Sequence, residues 1–217
     1  MEPKSLEGIP RYLVASGILI LLYSVGIAGI LFQLHPDFIL LTPLNLLISL
    51  GLILWLHEEW SVGFILFLAG TYFWGVLAEM IGVQTGIIFG DYQYGRVLGP
   101  KVFGTPLIIG VNWMMLVYAC GIWVNQLAKG SHWVLKGILG ALLLVGLDIL
   151  IEPVAIRFGF WTWAAGWPPL RNYIGWFFVA LPVQLLFARF FGARKNIAAQ
   201  ILFILQIVFF ALLGLLA

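Results

Sequence analysis

Charge is what this chain has least of. Of its 217 residues only 9% are Asp, Glu, Lys or Arg, against 63% hydrophobic and 16% aromatic. A soluble domain carries roughly 25% charged residues. There is too little polar surface here to cover a water-facing globule, so the chain reads as an integral membrane protein. The formal net charge is +2 without a basic stripe, which argues against nucleic acid as a partner. The one cysteine, Cys120, closes no intramolecular disulfide and reads as buried apolar filler.

Other absences exclude chemistries. The three histidines, His35, His57 and His132, lie far apart. That rules out the histidine-rich di-iron architecture of membrane hydroxylases and desaturases, and it leaves no metal-ligand cluster. The last apolar run has no lysine, so a retinal Schiff base is excluded. No G-x-S-x-G, P-loop or C-x-x-C occurs. A prenyltransferase needs two aspartate-rich motifs to hold a magnesium diphosphate, and only one weak D-x-x-x-E is present.

Long hydrophobic runs are what is there. About 20 apolar residues cross a bilayer core of roughly 30 Å. Seven runs qualify: Tyr12–Phe32, Phe38–Leu56, Val62–Ile81, Leu107–Leu127, Trp133–Ile151, Tyr173–Phe191 and Ala198–Leu216. The first is longer than the roughly 7–15 residues of a signal-peptide core and reads as a helix that stays. The expectation is an all-α polytopic membrane protein, a single domain over residues 1–217 without internal repeats.

Two connections are long, Gly82–Pro106 and Glu152–Asn172. Each follows an odd-numbered helix, so both lie on the same side of the membrane. Lys4, Arg11, Lys129, Lys136, Arg189, Arg194 and Lys195 fall on the N-terminal side; Arg96, Lys101, Arg157 and Arg171 fall on the other. The bias places the N-terminus in the cytoplasm of a cell-membrane protein.

Glu79–Pro106, EMIGVQTGIIFGDYQYGRVLGPKVFGTP, breaks the apolar pattern. Gly82, Gly86 and Gly90 recur every four residues. They either form a small-residue helix-packing face or mark a re-entrant segment whose backbone approaches a ligand closely. Pro100 and Pro106 argue against a long helix beyond Gly90.

Carboxylates at depth are costly enough to make function the default reading. Asp148 and Glu152, in GLDILIEPV, are spaced i, i+4 and share a helix face. Two like charges that close cannot both ionise cheaply, so one is expected to keep its proton and serve as a donor. Glu79 is a further acid or base for the same cavity. The plainer alternatives are a surface Glu152, an Asp148 that caps or pairs with an arginine, and a Glu79 paired with Arg96 or Arg157. Asp91, in GDYQYG, reads as a solvated turn residue or a fourth catalytic candidate, with Tyr92 and Tyr94 anchoring the loop. Trp161, Trp163 and Trp167, with Phe160, are dense beside the carboxylate pair. Most membrane tryptophans are interfacial anchors, but aromatic faces also stabilise cations.

Glu79, Thr85–Gly95 (TGIIFGDYQYG), Leu98-Gly99, Gly104-x-Pro106 and Asn112-Trp113 resemble the membrane-integral carotenoid hydratases of the CruF type. Leu147–Ala155 (LDILIEPVA) with Trp161–Trp163 (WTW) resembles that family's second signature. The resemblance spans about Glu79 to Trp176. It implies addition of water to the terminal 1,2 double bond of an acyclic carotenoid, of lycopene, γ-carotene or C50 bisanhydrobacterioruberin type. It implies no redox cofactor and no metal. Carotenoid, water and the lipid bilayer are then the partners, and association with other carotenoid biosynthesis enzymes is expected on the same ground.

The residues agree with that chemistry. Protonating the less substituted carbon leaves a tertiary cation, which water captures. Asp148 or Glu79 is the expected acid, and Glu152 or the other carboxylate positions water. Trp161, Trp163, Tyr92 and Tyr94 form the cation-facing wall, and Thr85, Asn112 and Trp113 complete the substrate-binding candidates. Two alternatives stay open. A carotenoid cyclase would use the same acid and aromatic wall, and a transporter or carotenoid-binding protein would use the carboxylates as a proton relay.

Overall fold

In a bilayer, a segment with no water to bond must satisfy its own backbone, which is why these apolar runs fold as helices. The computed structural model describes residues 10–216, so Lys4 in the charge count lies outside it. The chain is a multi-pass membrane protein, with seven helices among the described residues long and apolar enough to span. They are α1 (Arg11–Leu31), α2 (Thr42–Trp55, preceded by a short 3-10 turn over Phe38–Leu41), α3 (Val62–Thr85), α4 (Ile108–Leu127), α5 (Trp133–Arg157), α6 (Leu170–Phe190) and α7 (Ile197–Leu216). α4 is the central helix. Trp113, Met115, Leu116, Val117 and Tyr118 along it are fully buried, as expected for a helix that is apolar all round.

Two helices run longer than their apolar stretches suggest. α3 continues a turn past Ile81 and ends at Gly86, whose φ of 65° is left-handed and whose N–H bonds the Gly82 carbonyl at 2.8 Å. Glycine adopts that conformation without the steric cost of a Cβ. Gly82 lies inside α3, with the Phe89 ring packed against it. The glycine-rich segment thus packs on α3 at one position, caps it at the next, and turns the chain back along it. α5 continues through Pro153 to Arg157, where the sequence suggested a loop from Glu152. An internal proline costs a helix about 3 kcal/mol. Ile151, Glu152, Val154 and Ala155 around it are all buried, and that packing outweighs the local penalty.

The two long connections carry the strands. β1 (Tyr92–Tyr94) pairs antiparallel with β4 (Trp161–Trp163), placing Tyr92 opposite Trp163 and Tyr94 opposite Trp161. β2 (Lys101–Val102) and β3 (Thr105–Pro106) form a separate small hairpin. The strand alternation turns Tyr92, Tyr94 and Trp163 inward while Gln93 and Thr162 stay exposed. The two loops therefore close one end of the bundle as a two-stranded cover.

At the opposite end a polar cluster ties the α2–α3 and α6–α7 connections to α4. The Arg194 guanidinium donates to His57 Nε2 at 2.7 Å and bonds the Glu59 carbonyl. His57 Nδ1 meets the Tyr118 hydroxyl at 2.8 Å, and its ring stacks on Phe64 at 3.8 Å. Asn196 Nδ2 donates to the same hydroxyl at 3.1 Å and to the Ile53 carbonyl at 2.7 Å.

Candidate active site

Glu79 sits in the last two turns of α3, and β1 lies against it. Its Oε2 accepts from the Tyr92 hydroxyl at 2.5 Å and the Tyr94 hydroxyl at 2.8 Å; its Oε1 accepts from Trp113 Nε1 on α4 at 3.2 Å. Glu152, on α5, is held in the same way by β4. Its Oε2 accepts from Trp161 Nε1 at 3.0 Å and Trp163 Nε1 at 2.9 Å; its Oε1 accepts from Asn172 Nδ2 on α6 at 3.1 Å. Each strand thus supplies two aromatic donors to one oxygen of one glutamate, and a neighbouring helix supplies a third donor to the other oxygen.

Both glutamates are buried, at 3% and 2% exposure, so these donors stand in for water. The salt bridges among the described residues leave them alone. Arg96 pairs with Asp37 at 2.9 Å on the exposed surface, and Arg194 lies near Glu59 at 3.8 Å. The arginine pairings considered for Glu79 and Asp148 do not form. Burial first, and then the Glu79 carboxyl, push the Tyr92 and Tyr94 phenols well above their ordinary value, so both remain protonated donors.

Glu79 and Glu152 face a common cavity of about 30 Å³, lined also by Tyr92, Tyr94, Asn112, Trp161, Trp163, Asn172 and Trp176. That is room for a water molecule, which needs roughly 10–15 Å³ by the same measure. A larger, mostly apolar groove of about 210 Å³ runs between α1, α2, α4, α5 and α7. Groove and cavity share Ile109, Asn112, Ile151 and Trp161.

Of the residues singled out in the sequence, Glu79, Glu152, Tyr92, Tyr94, Asn112, Trp161 and Trp163 come together around the cavity. Trp113 stands behind Glu79 and stacks on Trp176 at 4.6 Å. Asp148 is completely buried and touches the cluster through Asn172 Nδ2 at 2.7 Å, but it does not line the cavity. Thr85 and Asp91 are exposed and outside it. The Thr85 hydroxyl bonds the Ile81 carbonyl of its own helix at 2.6 Å, and the Asp91 carbonyl accepts from Ala164 N at 2.9 Å, which helps join the two loops. Asn172 and Trp176 were missed. Their signal was an amide and an indole four apart near the start of a mostly apolar helix.

No solved structure matches this chain significantly. Over 117 residues it is 32% identical to the bisanhydrobacterioruberin hydratase of Haloarcula japonica, a match covering 50% of this chain and 39% of that protein. A family model described as carotenoid biosynthesis protein matches residues 39–217, most of the helical bundle and all of the carboxylate site, and this chain belongs to that family.

Proposed function

We propose that this protein adds water across the terminal 1,2 double bond of an acyclic carotenoid, giving a tertiary alcohol. The observation that carries the reading is the meeting of two buried glutamates with the end of an apolar groove. The family supports a carotenoid substrate, and the name of the Haloarcula relative supports hydration.

A carotenoid end is an apolar rod. It enters laterally between α1 and α2, where Val25, Leu41 and Leu44 both line the groove and are exposed on the outer face. The rest of the polyene stays in the bilayer, and the end group lies at Asn112 and Trp161. Glu79 gives its proton to C2 of the alkene, whose π electrons form the new C–H bond. The tertiary cation at C1 rests against the faces of Tyr92, Tyr94, Trp161 and Trp163. Water attacks C1 and loses its proton to Glu152. One proton leaves Glu79 and one reaches Glu152, and transfer through cavity water resets the pair.

The donors support this division of roles. A phenol hydroxyl both donates and accepts, so Tyr92 and Tyr94 suit Glu79 whether or not it carries a proton. Indole N–H and amide N–H groups only donate, so the three on Glu152 match a carboxylate that receives a proton. From the excess of Lys and Arg on the N-terminal side, we place the protein in the cell membrane with its N-terminus in the cytoplasm.

The test is the pigment profile of a lycopene-producing bacterial host expressing this chain, by chromatography with mass spectrometry. A more polar product heavier by one or two waters is expected. Unchanged mass with a shifted spectrum would replace hydration by cyclisation. If neither lycopene nor an acyclic C50 carotenoid is converted, a carrier or binding protein becomes the better reading.

A further inference from the structure

Asn172 lies in the first turn of α6, three residues after the capping Pro169, and is buried at 2% exposure. Its single Nδ2 group serves two carboxyls one turn apart on α5. It donates to Asp148 Oδ2 at 2.7 Å and to Glu152 Oε1 at 3.1 Å. The shorter of the two bonds goes to the carboxyl that does not face the cavity. The other oxygen of Asp148, Oδ1, is buried and has no partner among the described residues.

A carboxamide can rotate about its terminal torsion, and that torsion is soft. Anchoring one N–H on Asp148 fixes the plane of the amide, and the second N–H then has one direction to point. On the other side of Glu152, the indoles of Trp161 and Trp163 already hold Oε2. Asn172 is the only bond to Oε1 among the described residues, so it decides how that oxygen faces the cavity.

We propose that Asn172 is a positioning residue for Glu152, and that Asp148 acts on the reaction only through the Asn172 amide. This inference rests on the hydration reading above. It makes Asp148 an orienting group behind the site, and it leaves proton delivery to Glu79.

The experiment is a cycle of N172A, D148N and the double variant, each purified in detergent and followed by kcat and KM for hydration. Helix content and melting temperature report folding. N172A is expected to lower kcat about tenfold to a hundredfold with little change in KM, the pattern of transition-state stabilisation lost through a misplaced Glu152 and not of weaker substrate binding. It is also expected to move the acid limb of the pH–rate profile, which loss of packing alone would leave in place. D148N is expected to cost less. The double variant should be no slower than N172A, because the path from Asp148 is already cut. N172Q, which keeps the amide, should recover part of the rate. If N172A does not fold, N172L, which removes the amide but keeps most of the side-chain volume, carries the same cycle with D148N. Losses that multiply in the double variant, or an N172A enzyme as fast as wild type, overturn the proposal. A wild-type chain that hydrates no acyclic carotenoid removes the underlying reading instead.

Discussion

Tyr92 lies opposite Trp163 across the β1–β4 pair, and the two donate to different glutamates, Tyr92 to Glu79 at 2.5 Å and Trp163 to Glu152 at 2.9 Å. One register therefore sets both carboxylates. A two-residue slip of either strand would keep the aromatic faces inward but pull each glutamate away from its donors. The small sheet is the part of the molecule on which the geometry of the two glutamates depends.

The roles of Glu79 and Glu152 are separable by isotope. E79Q and E152Q should each lower hydration about 100-fold to 10,000-fold, the range for removing a general acid or base. On the proposed roles, E152Q should still protonate C2, and the cation can return that proton. Substrate recovered from E152Q in deuterated water should carry deuterium at C2, and substrate from E79Q should not. Deuterium from E79Q alone would reverse the assignment.

The tryptophan N–H groups can be tested apart from their rings. W161F and W163F keep an aromatic face but each delete one donor to Glu152. A hydrogen bond to a charged group is worth about 1.5–3 kcal/mol, so each variant should lose at least about tenfold in kcat. Full activity in both would mean that the faces alone matter.

The groove should control binding rather than chemistry. Ala155 is buried and lines the groove beside Phe160, whose N–H its carbonyl accepts at 2.9 Å. A155F fills part of that space and leaves every carboxyl in place. KM for the carotenoid should rise about tenfold, in line with the few kcal/mol that a misfitted apolar pocket costs, and kcat should change less. A larger effect on kcat than on KM would place the end group elsewhere.

Stability should depend on pH through His57, at the end of the bundle away from the site. Burial, and then the Arg194 charge, lower its pKa from the ordinary 6.5. The unfolded chain then takes up this proton more readily than the folded one. The contribution of His57 is complete above about pH 6.5 and is lost as the pH falls below it. The melting temperature in detergent should drop between about pH 7 and about pH 5, and H57Q should flatten that slope. An equal slope in both proteins would remove His57 as the cause.

The sequence by itself determined the seven helices. Hydropathy is a local property, and a run long enough to cross a bilayer has to be helical whatever its neighbours do. It also marked Glu79 and Glu152, because a carboxylate in an apolar run is conspicuous wherever it ends up. The i, i+4 spacing put Asp148 on the same face as Glu152. Which of the two would meet the cavity depended on how α5 turns against α6, and no local pattern records that rotation. YQY and WTW carry the alternation of a strand, but their partners lie roughly seventy positions apart, so only the folded chain could pair them. Tertiary structure likewise brought Asn172 between the two α5 carboxyls and set the groove against the cavity. These are contacts between distant segments, fixed by packing and by the need to satisfy buried polar groups, and periodicity along the chain does not encode them.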